Sequence, residues 1–183
     1  AICGVNYLAG NENDPPIGVG TNYTDYVINP THAAVAVMAA VRHKRRTGEG
    51  QLIDMSQLES SVSGMAGPLF AWDNAKIGYE RIGNRAPYAA PHGAYLADEM
   101  GDRPDHWVAI ACMTDSQWSA LSAVMEQPEL ASDPRFATLQ DRKKNEDELD
   151  GIIGGWVGEF KAPDVMNKLQ SEGIPAGMVQ KAS

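Results

Sequence analysis

The chain has 183 residues, 43% hydrophobic and 21% charged, with a net charge of −9 and a pI near 4.8. That length buries a real core, as one ordinary domain or two small ones, and the composition excludes global disorder. The acidic balance disfavours nucleic acid and anionic membrane surfaces as partners, because both repel such a chain.

Residues 1–24 are rich in Gly, Asn, Pro and Thr and read as an irregular loop. Asn29 suits a helix cap with Pro30 at the first helical position, and Thr31 to Arg46 is apolar on every face from Ala33 to Val41. Such a helix is expected to be buried on all sides, with His32 as a satisfied core histidine. Its basic end meets Gly48, which suits a left-handed helix stop. Gln51 to Met55 then alternates like a short strand, and Ser56-x-x-Glu59 reads as a capping box. The helix it opens runs towards Tyr79, with Met65, Leu69, Phe70 and Trp72 packing and a kink near Gly64, Gly67 and Pro68.

Residues 81–92 hold glycine and proline without periodicity and read as an interdomain linker. Ala94 to Ala97 and Trp107 to Cys112 form an expected β-hairpin around a polar loop with Gly101 and Pro104. Thr114 or Asp115 caps a helix through Gln127, whose apolar face holds Trp118, Leu121, Val124 and Met125. A helix follows from Asn145 to Phe160, weakened by Gly151, Gly154 and Gly155. A shorter one starts at Pro163 and ends at Gly173, and Ile174 to Val179 makes a last strand.

Only Cys3 and Cys112 are present, too few for a disulfide framework or a Cys-based zinc site, so a reducing cytoplasm fits best. His43, His92 and His106 show no metal spacing, and no metal is expected. No apolar run approaches the ~20 residues that span a bilayer, and no targeting segment is expected. The basic runs Arg42–Arg46 and Arg142–Lys144 read as solvated helix ends. No G-x-G-x-x-G follows a strand, so no dinucleotide fingerprint is offered.

The stretch from Arg46 to Ser60 resembles a signature of the class III CoA-transferases, a superfamily that includes carnitine and bile-acid CoA-transferases, formyl-CoA transferase and α-methylacyl-CoA racemase. Asn29-Pro30-x-His32-Ala33-Ala34 precedes it and Arg81-x-Gly83-Asn84-Arg85-Ala86-Pro87 follows it. Trp107-Val108-Ala109-Ile110, Asp115-x-Gln117-Trp118, Asp133-Pro134-Arg135-Phe136 and Gly173-Ile174-Pro175-Ala176-Gly177 continue in family order over essentially the whole chain. The resemblance implies an α/β fold. Residues 1–80 would be part of a large Rossmann-like domain, 81–92 the linker and 93–183 a small α+β domain. It implies proteins about twice as long, so this sequence reads as an internal piece or a truncated relative.

The family's nucleophile is an aspartate just before the buried helix, and Asp25 is the matching position. A residue in such a turn is otherwise a capping or turn aspartate. The resemblance further implies CoA and acyl-CoA as substrates, a carboxylic acid as acceptor and an interlocked homodimer. It assigns Gly83, Asn84, Arg85 and His92 to substrate CoA binding, against the alternative of an ordinary linker. The segment lacks the glycine run of the oxalate-type enzymes, which points to the carnitine and bile-acid type branches. Two other functions stay open. An acyl-CoA racemase would need general acid–base groups, for which Asp115 competes with a helix-cap role. A noncatalytic truncated module would need no chemistry at all.

Overall fold

The computed structural model describes residues 4–15, 24–98 and 106–180, apart from the side chain of Asp25. Cys3, the loop around Gly101 and Pro104, and much of the irregular N-terminal stretch lie outside the described residues. Two compact units divide the chain, Ala1–Gly83 and Asn84–Ser183. Together they mix helix with a small antiparallel sheet. No helix among the described residues is long and apolar enough to cross a membrane.

The regular elements described in the first unit are helices, separated by irregular stretches. A π-helical turn, Thr24–Ile28, runs directly into α1, Asn29–Thr47. The left-handed Gly48, at φ 80°, ends α1 by donating its N–H to the Lys44 carbonyl at 2.8 Å. Lys44, Arg45 and Arg46 occupy the last turn, where positive charge meets the negative end of the helix dipole.

Gln51–Met55 forms no strand, contrary to the alternation read from its sequence. A lone strand without a ladder partner leaves its backbone groups to water, and no described strand of this unit offers one. Ser56 caps α2, Gln57–Val62, by accepting the Glu59 N–H at 3.3 Å. The long helix expected beyond it is broken. A 3₁₀ turn at Ser63–Met65 separates α2 from α3, Ala66–Ala75, and left-handed Lys76 closes α3.

The expectation that α1 is buried on all sides is wrong for this structure. Val35, Val37, Met38 and Val41 are exposed, as are Leu69, Phe70 and Trp72 of α3. An all-round apolar helix needs cover on several faces, and the described residues of this unit supply it on few.

The second unit holds the main core. Strands β1, His92–Leu96, β2, Trp107–Ala111, and β3, Ala176–Met178, pair antiparallel in that spatial order. Tyr95 lies opposite Val108 and Ile110 opposite Ala176. In central β2, Val108 and Ile110 are buried while Trp107 and Ala109 face outward, the period-two pattern of a sheet covered on one side.

Four helices follow: α4, Asp115–Val124; α5, Leu139–Lys144; α6, Glu146–Val157; and α7, Ala162–Ser171. Trp118, Leu121, Leu149, Ile153, Val165 and Leu169 project from them into one cluster with Phe136 and Ile174. Each large aliphatic side chain so buried contributes about 1.5–3 kcal/mol. Thr114, rather than Asp115, caps α4 with a full capping box to Gln117.

Candidate functional site

Asp25 has its backbone in the π-helical turn Thr24–Ile28. Single π turns are uncommon and concentrate at functional positions. The local sequence explains this one. Pro30 has no N–H to give the carbonyl four residues before it, so regular α bonding fails at this point. Side chains then take up the next carbonyls: Thr31 Oγ1 donates to Val27 O at 2.5 Å, and His32 Nδ1 bonds Ile28 O at 2.9 Å. His32 is therefore satisfied, as the sequence implied, but it is exposed rather than in a core.

Asn29 departs from its expected role. It is the first α-helical residue, the preceding Ile28 is already right-handed, and no side chain caps the helix. The Asn29 side chain is buried and its Oδ1 accepts from the hydroxyls of Ser60 and Ser61, the latter at 3.4 Å.

The segment 83–92 is built rather than loose. Gly83 adopts φ +60° and donates its N–H to Gly10 O at 2.9 Å. That left-handed φ favours glycine, and a Cβ there would also lie 2.2 Å from Asn11 Oδ1 and push that side chain aside. From Asn84 onward the segment belongs to the second unit. The Asn84 carbonyl meets His92 Nδ1 at 2.5 Å, and the His92 ring stands edge-on to Tyr88 at 6.3 Å. Donation from Nδ1–H to that carbonyl leaves Nε2 of a neutral ring as an acceptor.

The Arg85 guanidinium binds Asp147 at 2.5 Å and Asp150 at 2.8 Å, with Glu146 at 3.7 Å. Partial burial disfavours its charge, yet the hydrogen bonds and Coulombic attraction of these α6 carboxylates outweigh that and raise its pKa. A guanidinium so occupied holds the segment to α6. Asp150 also accepts from Tyr95 Oη at 2.8 Å. Burial first, and then the Asp150 charge, push the Tyr95 phenol well above its ordinary value.

Further along, Lys143 Nζ donates to Ala86 O at 3.0 Å, and the Ala90 N–H and Pro91 O both bond to the backbone of Cys112. Arg142 is the residue that sequence reasoning missed. Read as part of a solvated basic run, it is 1% exposed. It donates from Nε to Ala90 O at 2.7 Å, from Nη1 to Phe136 O at 3.0 Å and from Nη2 to Asp115 at 2.8 Å. Asp115 is thus a partner of Arg142. Nothing in the Arg142-Lys143-Lys144 run distinguishes the arginine that turns inward. Asn29, Ser60 and Ser61 were similarly unremarkable as small polar residues.

Of the site residues expected from sequence, Asn84 and His92 are brought into contact, and Arg85 lies between them on the chain, tied to α6. Asp25 and Gly83 fall in the first unit. Among the described residues no group of three or more His, Cys, Asp or Glu side chains is arranged to hold a metal ion. The Arg42, Arg45 and Arg46 side chains line an open groove of about 420 Å³ along α1 with Val37, Met38 and Val41.

The sequence profile of CoA-transferase family III matches residues 1–183. Over 182 residues the chain is 30% identical to the succinyl-CoA–D-citramalate CoA-transferase of Chloroflexus aurantiacus, covering 100% of this chain and 44% of that protein. The acetyl-CoA:oxalate CoA-transferase of Acetobacter aceti is 29% identical over 177 residues, 97% of this chain and 44% of the relative. A solved CaiB/BaiF family protein from Brucella suis has the same fold, with a TM-score of 0.88 at 27% identity over 98% of this chain and 46% of its own. The chain spans less than half the length of these curated relatives.

Proposed function

The chain belongs to CoA-transferase family III, and from that premise we propose that it forms part of an enzyme moving CoA from an acyl-CoA to a carboxylic acid, with Asp25 as the covalent acceptor. In this reading CoA is a substrate, carried through four exchanges at one carboxylate. An Asp25 oxygen attacks the thioester carbonyl carbon, the C–S bond breaks, and CoA thiolate leaves a mixed anhydride. The thiolate then attacks Cγ of Asp25, releasing the donor carboxylate and leaving an aspartyl-CoA thioester. The acceptor carboxylate attacks that thioester, and thiolate departs again. A final attack on the acceptor's carbonyl carbon gives the new acyl-CoA and restores the Asp25 carboxylate. Bonds and charges balance without a metal, an oxidant or a net proton.

The observation that carries the reading is the family match over the whole chain; the choice of Asp25 rests on its place five residues before Pro30, in the stretch that resembles the family's nucleophile segment. The π-helical backbone there supports it, since such turns mark functional positions. The helical first unit is part of a Rossmann-like lobe, and Gly83, Asn84, Arg85 and His92 form the segment facing the CoA thioester. Within it Arg85 anchors the segment on α6, leaving His92 Nε2 and backbone groups for the substrate. The working enzyme is an interlocked homodimer in the cytoplasm.

The test is to incubate the full-length protein with acyl-CoA and hydroxylamine and to map the modified residue by mass spectrometry. A hydroxamate on Asp25 is expected. Exchange of the substrate's α-proton without that adduct identifies a racemase instead. Neither signal leaves a noncatalytic module.

A further inference from the structure

The backbone around Asp25 is held from one side by α2. Asn29 immediately follows the π-helical turn and is 5% exposed, and the two serines that bond it are 6% and 5% exposed. Both hydroxyls donate to the same Oδ1, which has two lone pairs and accepts one bond on each. A buried amide oxygen engaged in this way has little freedom to move, because moving off its donors leaves the oxygen itself short of partners away from water, whereas the Ser60 hydroxyl also lies 3.2 Å from the Ser56 and Gln57 carbonyls.

A second contact lies on the same face. The Cδ1 of Ile28, the last residue of the turn, packs over Gly64, where an added Cβ would approach to 3.0 Å. The turn is thus gripped at its final residue and at the next one. Both grips come from the stretch that Ser56 starts by capping α2. The other side of the turn is satisfied by short-range bonds from Thr31 and His32, which fix its carbonyls but not its position relative to α2.

We propose that Asn29, clamped by Ser60 and Ser61, is the positioning residue that sets where the turn carrying Asp25 sits. The proposal rests on the reading of Asp25 as the nucleophile. Near-attack geometry is demanding, and a misplacement of about 1 Å costs roughly 100-fold in rate. Removing the Ser60 hydroxyl takes the shorter of these two donors from Asn29 Oδ1, so the turn is held less firmly at this attachment.

The experiment uses the full-length protein and reads the rate of Asp25 modification by acyl-CoA plus hydroxylamine, with steady-state kcat and KM alongside. Wild type reports on the nucleophile itself: no Asp25 adduct there refutes the functional reading. If wild type reacts, Ser60→Ala is expected to slow modification about 10- to 100-fold, lowering kcat with KM little changed. Ser60→Thr, which keeps the hydroxyl, is expected to restore most of the rate. Gly64→Ala offers an independent arm, because its added methyl would press on the Ile28 side chain at 3.0 Å without touching the polar clamp, and it too should lower kcat. A thermal melt accompanies each variant. Should Ser60→Ala melt below the assay temperature, Gly64→Ala and Ser60→Thr decide the matter. Wild-type rates in both Ser60→Ala and Gly64→Ala, or a folded Ser60→Thr as slow as Ser60→Ala, overturn the proposal.

Discussion

Replacing Arg142 by Met removes a buried cation while keeping most of its length. The side chain is 1% exposed, and its two buried acceptors, Ala90 O at 2.7 Å and Phe136 O at 3.0 Å, lose their donors. Each bond to a charged group contributes about 1.5–3 kcal/mol, and each carbonyl left unsatisfied in the interior costs about 1–3 kcal/mol. These are overlapping descriptions of one loss, so we expect about 3–5 kcal/mol in total. The third partner weighs little: Asp115 is 67% exposed, and an ion pair so open to water is worth at most about 1 kcal/mol. Arg142→Lys should recover only a fraction, because an ammonium cannot reach separate carbonyls as a planar fork does. The assay is urea unfolding followed by emission of the buried Trp118, whose ring lies 5.7 Å from the guanidinium. Asp115→Asn is the control. A loss below about 1 kcal/mol for Arg142→Met, or an equal loss for Asp115→Asn, refutes the assignment of Arg142 as the internal brace of segment 84–92.

Tyr95→Phe should cost about 1–2 kcal/mol, from the 2.8 Å bond to Asp150, in the same unfolding assay. The Tyr95 phenol is raised in the fold above its ordinary value of 10.0, so its stabilising part is full below that pH and is lost as pH rises towards the folded value. Ultraviolet titration should show one tyrosine that ionises only on alkaline unfolding. Asp133 behaves oppositely, since its hydrogen bonds from the Arg135 side chain and backbone lower it from 3.8 to about 2. Its contribution is present above 3.8 and disappears as pH falls through about 2, which carbon-detected carboxyl titration can follow. Burial pushes the Cys112 thiol up to about 12 although Arg142 pulls it down, so peptide mapping after alkylation at neutral pH should find Cys112 unlabelled in the folded protein and labelled in urea.

Much of the second unit could be read from sequence because its signals are local. The alternation of Val108 and Ile110, the Thr114 cap and the spacing of Trp118, Leu121 and Val124 each depend on neighbours a few residues away. The glycine stop at Gly48 is equally local. Where the reading failed, a distant partner decided. Gln51–Met55 has the pattern of a strand but no ladder to join among the described residues, and α1 has a buried helix's composition with exposed valines. Arg142 turns inward because the Ala90 and Phe136 carbonyls need donors, which no window around position 142 reveals. The same holds for Asn29, read as a cap from the residue after it and in fact claimed by serines 31 and 32 positions away. Asp25 was marked by family resemblance alone. Composition could not single it out from other turn aspartates.

The most direct test of the central claim follows the oxygen atoms. The full-length protein is turned over with acyl-CoA and an acceptor acid whose carboxylate carries heavy oxygen, and the peptide containing Asp25 is then weighed. Attack of the acceptor on an aspartyl thioester, followed by thiolate attack on the acceptor's carbon, leaves one acceptor oxygen on Asp25, so that peptide should gain the label while others do not. Turnover with an unlabelled Asp25 peptide contradicts the account.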